Sequence, residues 1–277
     1  MVKTRSNTEK LKRTLRKKSA KAEIYEYVST GSTLLNLAIS GNPNNGFAKG
    51  SFVLFVGDSG SGKTFLTLTA LAEASINPAF KDYRLIFDNA ENGALMSVEK
   101  FFGKGLAERL EPPRKLLSTN PEPIYSTTIE EFYFNVDEAL RKGPCIYILD
   151  SMDALTSQEE ADKFQEDKRA SAKGRVAGGT WGLSKAKQNS SKLRVVYNQL
   201  RQTGSILIVI CQTRDNIGFG SQFQPKTRGG GLALTFYASV EIWTSVRGHI
   251  KQTVRGKPRE LGVICKVRVK KNRLTGK

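Results

Sequence analysis

Histidine is almost absent from this chain. Its 277 residues hold one, His249, in the polar stretch SVRGHIKQT. A lone histidine without a partner constellation excludes a His-based acid–base pair and a His-ligated metal centre, and His249 reads as a loop residue. Cysteine is scarce too. Cys145, Cys211 and Cys265 lie more than fifty residues apart, each inside an apolar, strand-like run. That spacing fits neither a metal site nor a disulfide framework, so they read as buried thiols of a reducing compartment. No apolar run approaches the ~18 residues of a membrane span. No signal peptide precedes the fold, and the expected setting is cytoplasmic. Acidic residues are the remaining shortage: 26 Asp+Glu stand against 44 Lys+Arg, a formal net charge of +18. Such an excess calls for a polyanionic partner, nucleic acid before all others.

What is present begins with a core. The chain is 39% hydrophobic, enough for a large α/β unit. Residues 1–23 form a basic arm with nine Lys/Arg and two acidic residues, and residues 24–277 the globular core. The apolar runs SFVLFVG, YRLIFDN (Tyr83–Asn89), CIYILD (Cys145–Asp150) and SILIVICQ (Ser205–Gln212) read as strands buried on both faces. Helices are expected over Lys63–Ala74, Ile129–Arg141 and Ser184–Gln202. Strands alternating with helices imply crossover units and a mainly parallel, twisted sheet flanked by helices. The runs ASVEIWTSV and LGVICKVRVKK, joined by a short basic polar segment, predict an antiparallel hairpin at one edge. Ser157–Gly182 and Thr213–Gly231 read as long irregular loops. Both leave strand C-termini, where open parallel sheets bind their ligands.

The chemistry concentrates in GDSGSGKT, which fits G-x-x-x-x-G-K-[ST] completely. Gly57, Asp58, Ser59, Gly60, Ser61 and Gly62 would turn their backbone N–H groups around phosphate oxygens. Lys63 would reach the β/γ-phosphates, the Thr64 hydroxyl would ligate Mg²⁺, and Phe65 follows in a helix whose N-terminus favours anions. The implied ligands are ATP and Mg²⁺. A second carboxylate for the metal is expected at a neighbouring strand end, and Asp150 stands there. Glu91, in LIFDNAEN, is the candidate general base that positions water, with Asp88 as its competitor. Gln212 ends a strand where a basic segment begins, a position from which a neutral amide could sense a γ-phosphate. Beyond it lie Arg214, Lys226 and Arg228 with Phe219, Phe223 and many glycines. Cations neutralise phosphates and rings stack on bases.

Taken together, these stretches resemble the RecA-type recombinases, bacterial RecA and the phage UvsX-like proteins in particular. The likeness runs in order from VSTGSTLLNLAISG (Val28–Gly41) through the phosphate turn and DNAEN. It continues through ILDSMDALT, ILIVICQTRDNIG and GGGLALTFYASVEI (Gly229–Ile242) to VRVKKNRLTGK. It implies a RecA-like P-loop NTPase core and a DNA-dependent ATPase that binds single-stranded DNA as a helical filament, with duplex DNA as second substrate for pairing or strand exchange. It assigns Glu91 as catalytic glutamate and Gln212 as γ-phosphate sensor. Ser157–Gly182, with Lys173 and Arg175, and Thr213–Gly231, with Gly229 and Gly230, become the DNA-binding loops. Lys271 and Arg273 match two lysines that reach the neighbouring subunit's ATP, and Phe236 an interface aromatic.

The departures from that pattern are specific. Arg273 stands where lysine is usual. The first loop is longer and more basic than in bacterial RecA. The sequence ends after RLTGK without the closing strands, as expected of a compact phage or mobile-element form or of a truncated one. The rival readings are a hexameric helicase or translocase on the same core, and an annealing or assembly module with structural nucleotide.

Overall fold

The computed structural model describes residues 26–116, 122–171, 183–215 and 226–276. The basic arm and Lys173, Arg175, Phe219 and Phe223 lie outside the described residues. In chain order the elements are β1 Tyr27–Val28, α1 Thr33–Ser40, β2 Phe47–Ala48, β3 Phe52–Gly57, α2 Lys63–Ile76 and β4 Arg84–Asp88. Then come α3 Val98–Phe102, α4 Lys104–Arg109, β5 Leu110–Glu111, β6 Arg114–Lys115, β7 Pro123–Ile124, α5 Ile129–Lys142 and β8 Cys145–Leu149. The remainder is α6 Gln158–Ser171, α7 Leu183–Thr203, β9 Ile206–Asp215, β10 Lys226–Arg228, α8 Leu232–Tyr237, β11 Val240–Val254 and β12 Lys257–Asn272.

The main sheet has the order β12-β11-β3-β9-β8-β4-β5. Its neighbours are parallel except β12, which closes one edge as the antiparallel partner of β11. This is the α/β architecture that the alternating strand and helix signals imply. Helices cover both faces, which is why the central strands are unbroken apolar runs. Phe52, Leu54, Val56, Tyr147, Leu149, Leu207 and Val209 cluster with Phe132 and Val136 of α5 and Leu193, Val196 and Leu200 of α7. The alternate residues Val53, Phe55, Ile146, Ile148, Ile206, Ile208 and Ile210 cluster with Ile39 of α1 and Leu68 and Leu71 of α2. Each such side chain contributes about 1.5–3 kcal/mol on burial, and the two layers fix the strand register on which the site depends.

Several expectations are corrected. Gln158–Ser171 is helical, not irregular. Its start carries a reciprocal cap: the Ser157 N–H donates to Glu160 Oε2, and the Glu160 N–H to Ser157 Oγ, both at 3.2 Å. Thr213–Gly231 is not one loop in its described part, because β9 runs to Asp215 and β10 pairs back on it, Arg228 opposite Thr213. The polar segment between the last two strand signals is itself strand. β11 and β12 continue to a two-residue turn at Arg255 (φ 52°) and Gly256 (φ 74°), both left-handed as tight hairpin turns require. His249 therefore sits in β11, its Nδ1 2.5 Å from Glu260 of β12. Beyond Thr244 this hairpin leaves β3 behind and is mostly exposed, so no buried face marks its period in the sequence. Cys265, on its outer part, is only half-buried, whereas Cys145 and Cys211 are buried.

Candidate functional site

Strand register assembles the site. Gly57 pairs with Gln212 on one side and Thr244 on the other, while Asp88 pairs with Leu149. The main chain extends the alignment past the strand ends: the Asp150 N–H donates to the Asp88 carbonyl and the Glu91 N–H to the Asp150 carbonyl, both at 2.9 Å. The Gly57–Thr64 turn, Gln212, Asp150 and Glu91 thus share the carboxyl-end edge, where parallel sheets bind ligands.

The turn is built to receive an acceptor. A Cβ on Gly57 would lie 2.0 Å from Thr244 Oγ1, so only glycine lets β11 approach this closely. Ser61 Oγ donates to the Asp58 carbonyl at 2.6 Å and lies 2.7 Å from Thr244 Oγ1, while Ser59 and Gly60 are exposed at the tip. The cap of α2 is Gly62 (φ 83°), which offers no side chain to the first N–H groups of that helix. Elsewhere the same need is met by Ser32 at α1 and by a Thr128–Glu131 capping box at α5. Uncapped N–H groups together with the helix dipole favour an anion. Lys63 is 8% exposed, and its amine already points into the turn, donating to the carbonyls of Gly57 (2.9 Å) and Asp58 (2.7 Å). Burial lowers its pKa, against the pull of Asp150, Glu91, Asp58 and Asp153. Behind the turn the half-exposed Phe65 ring meets Phe102 (5.0 Å) and Phe101 (6.4 Å).

Thr64 Oγ1 donates to Asp150 Oδ2 at 2.6 Å. Burial raises the Asp150 pKa, with the Glu91 charge adding to the effect and Thr64 and Lys63 opposing it. Among the described residues no trio of His, Cys, Asp or Glu could hold a metal alone. A Thr–Asp pair does fit Mg²⁺, which takes one or two carboxylates and completes its shell with water and substrate phosphate.

The carboxylate that ends β4, Asp88, and the one that follows the strand, Glu91, differ sharply. Asp88 is fully buried and accepts three hydrogen bonds: from the Ser126 N–H (2.9 Å), Ser126 Oγ (2.6 Å) and the Tyr147 hydroxyl (2.7 Å). Its carboxylate is closed off from bulk solvent. Glu91 is exposed, and its Oε1 accepts from Ser151 Oγ and from Gln212 Nε2, each at 2.6 Å. The geometry thus joins the candidate base to the candidate sensor directly.

The basic residues beyond Gln212 are engaged with the same site. Asp153 Oδ2 accepts the Gln212 N–H at 2.7 Å, and its Oδ1 meets Arg214 Nη2 at 3.0 Å. A Cβ on Gly229 would lie 2.8 Å from that Oδ1. Lys226 pairs with Asp58 at 3.0 Å and with Asp215 at 3.4 Å. Arg228 donates to the carbonyls of Gly229 (3.0 Å) and Gly231 (2.9 Å) and to Thr235 Oγ1. The buried Asn189 of α7 donates to the Gly230 carbonyl at 2.8 Å and accepts from the Tyr133 hydroxyl. Lys271 and Arg273, at the end of β12, gather at α8 with Phe236. The Lys271 amine donates to the carbonyls of Thr235 and Phe236, and the Arg273 guanidinium stands 5.5 Å from the half-exposed Phe236 ring. Burial, and then Arg273, lower the Lys271 pKa.

Sequence reasoning missed Ser151, Asp153, Thr213 and Thr244. Asp153 lies three residues after Asp150 and had a local signal; Thr244 meets Ser61 across 183 residues and had none.

The model of the RecA N-terminal domain matches residues 135–277, a span that holds Asp150, Gln212 and the hairpin but begins after the phosphate turn. Protein RecA of Prochlorococcus marinus (strain NATL1A) is 30% identical over 250 residues, 90% of this chain and 56% of that protein. Protein RecA of the same species (strain MIT 9215) is 31% identical over 250 residues, covering 90% and 58%. Protein RecA of Synechococcus sp. (strain CC9902) is 30% identical over 252 residues, covering 90% and 57%. The chain thus spans little more than half the length of these curated relatives.

Proposed function

This chain belongs to the RecA family, and from that premise we propose that it is a DNA-dependent ATPase that grips single-stranded DNA when ATP and Mg²⁺ are bound. The observation that carries the reading is the 2.6 Å hydrogen bond from Gln212 to Glu91. It links the group that would handle water to the strand from which the basic segment departs.

In this reading the α2 N-terminus and the N–H groups of residues 57–64 hold the β- and γ-phosphates. Lys63 exchanges its two carbonyl partners for phosphate oxygens. Thr64 and Asp150 would hold Mg²⁺, which would neutralise charge on the phosphates. Glu91 orients the attacking water and takes its proton. Ser151 and Gln212 both hold Oε1, so Oε2 is the oxygen left to face the water. Gln212 then responds to the γ-phosphate. Its backbone is tied to Asp153, which also holds Arg214, so a shift at the amide is passed into residues 213–231.

Lys271, Arg273 and Phe236 belong to the opposite edge of a protomer in a filament, where the two cations approach the neighbour's ATP. Homologous pairing or strand exchange with duplex DNA, in recombination and repair, is the purpose such a filament would serve. Binding of a labelled single-stranded oligonucleotide, read by fluorescence anisotropy, tests the reading. A non-hydrolysable ATP analogue with Mg²⁺ should tighten it by about 5- to 150-fold, the usual range of coupling between two sites. Equal affinity with and without the analogue would contradict it.

A further inference from the structure

Asp58 faces two ways. Its main-chain carbonyl accepts from Lys63 Nζ at 2.7 Å and from Ser61 Oγ at 2.6 Å, inside the phosphate turn. Its carboxylate Oδ1 leaves the turn and accepts from Thr213 Oγ1 and from Lys226 Nζ, the latter at 3.0 Å. Thr213 lies on the outgoing strand β9 and Lys226 on the returning strand β10, with Lys226 opposite Asp215 and Arg228 opposite Thr213. A single carboxylate of the turn therefore holds both strands of the small basic hairpin. Lys226 has a second partner, Asp215, but that residue belongs to the hairpin itself and moves with it. Asp58 is the partner that belongs to the nucleotide site.

We propose that Asp58 is a positioning residue that masks Lys226 from DNA until nucleotide is bound. This rests on the functional reading above. The physical argument is one of charge. Without nucleotide, the Asp58 carboxylate neutralises a cation that would otherwise meet a DNA phosphate. The Thr213 hydrogen bond, with Lys226, holds its pKa below the usual carboxylate range, so it remains charged at neutral pH. A triphosphate in the turn places several negative charges beside that carboxylate and draws away the Lys63 amine that its carbonyl now holds. Like charges at this range repel, the more so where solvent is partly excluded. The carboxylate is then disfavoured where it stands, and Lys226 becomes available to a phosphate of the DNA backbone. The Asp58–Lys226 pair is partly exposed, with side chains 40% and 47% accessible, so the contact is weak enough to be released.

Asp58→Asn removes the charge and keeps an acceptor for Thr213. In nucleotide-free buffer it should tighten single-stranded DNA binding by about two- to fivefold, the size of one exposed ion pair. The slope of log affinity against log salt should steepen by about 0.7, one more cation on single-stranded phosphate. The gain on adding the ATP analogue should shrink by the same factor. None of these changes should appear when Asp58→Asn is made in a Lys226→Gln background. Lys226→Gln alone, which leaves the turn intact, should weaken only the analogue-bound state. An Asp58→Asn chain with unchanged DNA binding, or one altered equally in both nucleotide states, overturns the proposal. So does an effect that survives in the Lys226→Gln background. A wild-type chain that binds DNA without responding to the analogue overturns the functional reading instead, and the nucleotide-free comparison of the variants still decides the contact. No DNA binding in either state overturns both.

Discussion

Glu91→Gln should lower ATP turnover by about 10²- to 10⁴-fold, the contribution of one well-placed general base, while nucleotide affinity stays close to wild type. The amide keeps an oxygen for the Ser151 hydroxyl and for Gln212 Nε2, so the local hydrogen bonds survive. What is lost, on the proposed function, is the group that takes the proton. Single-turnover hydrolysis beside equilibrium binding of a fluorescent ATP analogue separates the two effects. The neighbouring carboxylate provides the contrast. Asp88→Ala would leave the Ser126 N–H, Ser126 hydroxyl and Tyr147 hydroxyl buried without their acceptor. At about 1–3 kcal/mol for each buried donor so abandoned, the fold should fail before the chemistry can be measured. Thermal melting of the two variants distinguishes a residue proposed to act on water from one that ties β4 to β8 and to the segment before α5.

Lys63→Ala should abolish detectable turnover and make DNA binding indifferent to nucleotide. A single donor aimed at developing charge is worth about 10²–10³ in rate, and here the same amine also carries ground-state phosphate contact. The fold should not suffer. Lys63 is nearly buried, and burial already disfavours its charge in the nucleotide-free protein. A melting temperature equal to or above wild type, with activity gone, is the expected combination. A Lys63→Ala chain whose DNA binding matches wild type in every nucleotide state would favour a structural nucleotide and the annealing-module reading. The salt dependence of its DNA binding should match that of nucleotide-free wild type.

The legible part of this site was the contiguous part. Gly57–Thr64 is one turn between a strand and a helix, and its glycines and lysine announce themselves at fixed spacing. Asp150 and Gln212 could be placed because apolar runs end on them. Spacing put Glu91 ahead of Asp88 but did not separate them physically: Asp88 ends β4 and Glu91 follows three residues on, and the fold shows the first enclosed by Ser126 and Tyr147 and the second exposed. Thr244 closes the phosphate turn from a strand that follows it by almost two hundred residues, and only the β3–β11 register reveals it. The helix α6 was missed because it is charged and adds no described residue to either core cluster, so no apolar stripe marks its period, although Ser157 and Glu160 spell its cap. The outer hairpin was read as a polar segment because neither of its faces is buried enough to impose a period of two.

In the proposed function, one turn couples phosphate chemistry to a grip on DNA. Steady-state ATP hydrolysis, measured at saturating ATP and Mg²⁺ with and without single-stranded DNA, tests it most directly. The account predicts turnover that rises severalfold with DNA and collapses to background in Glu91→Gln under both conditions. Turnover that is the same with and without DNA, in a preparation that Glu91→Gln does not impair, would contradict it.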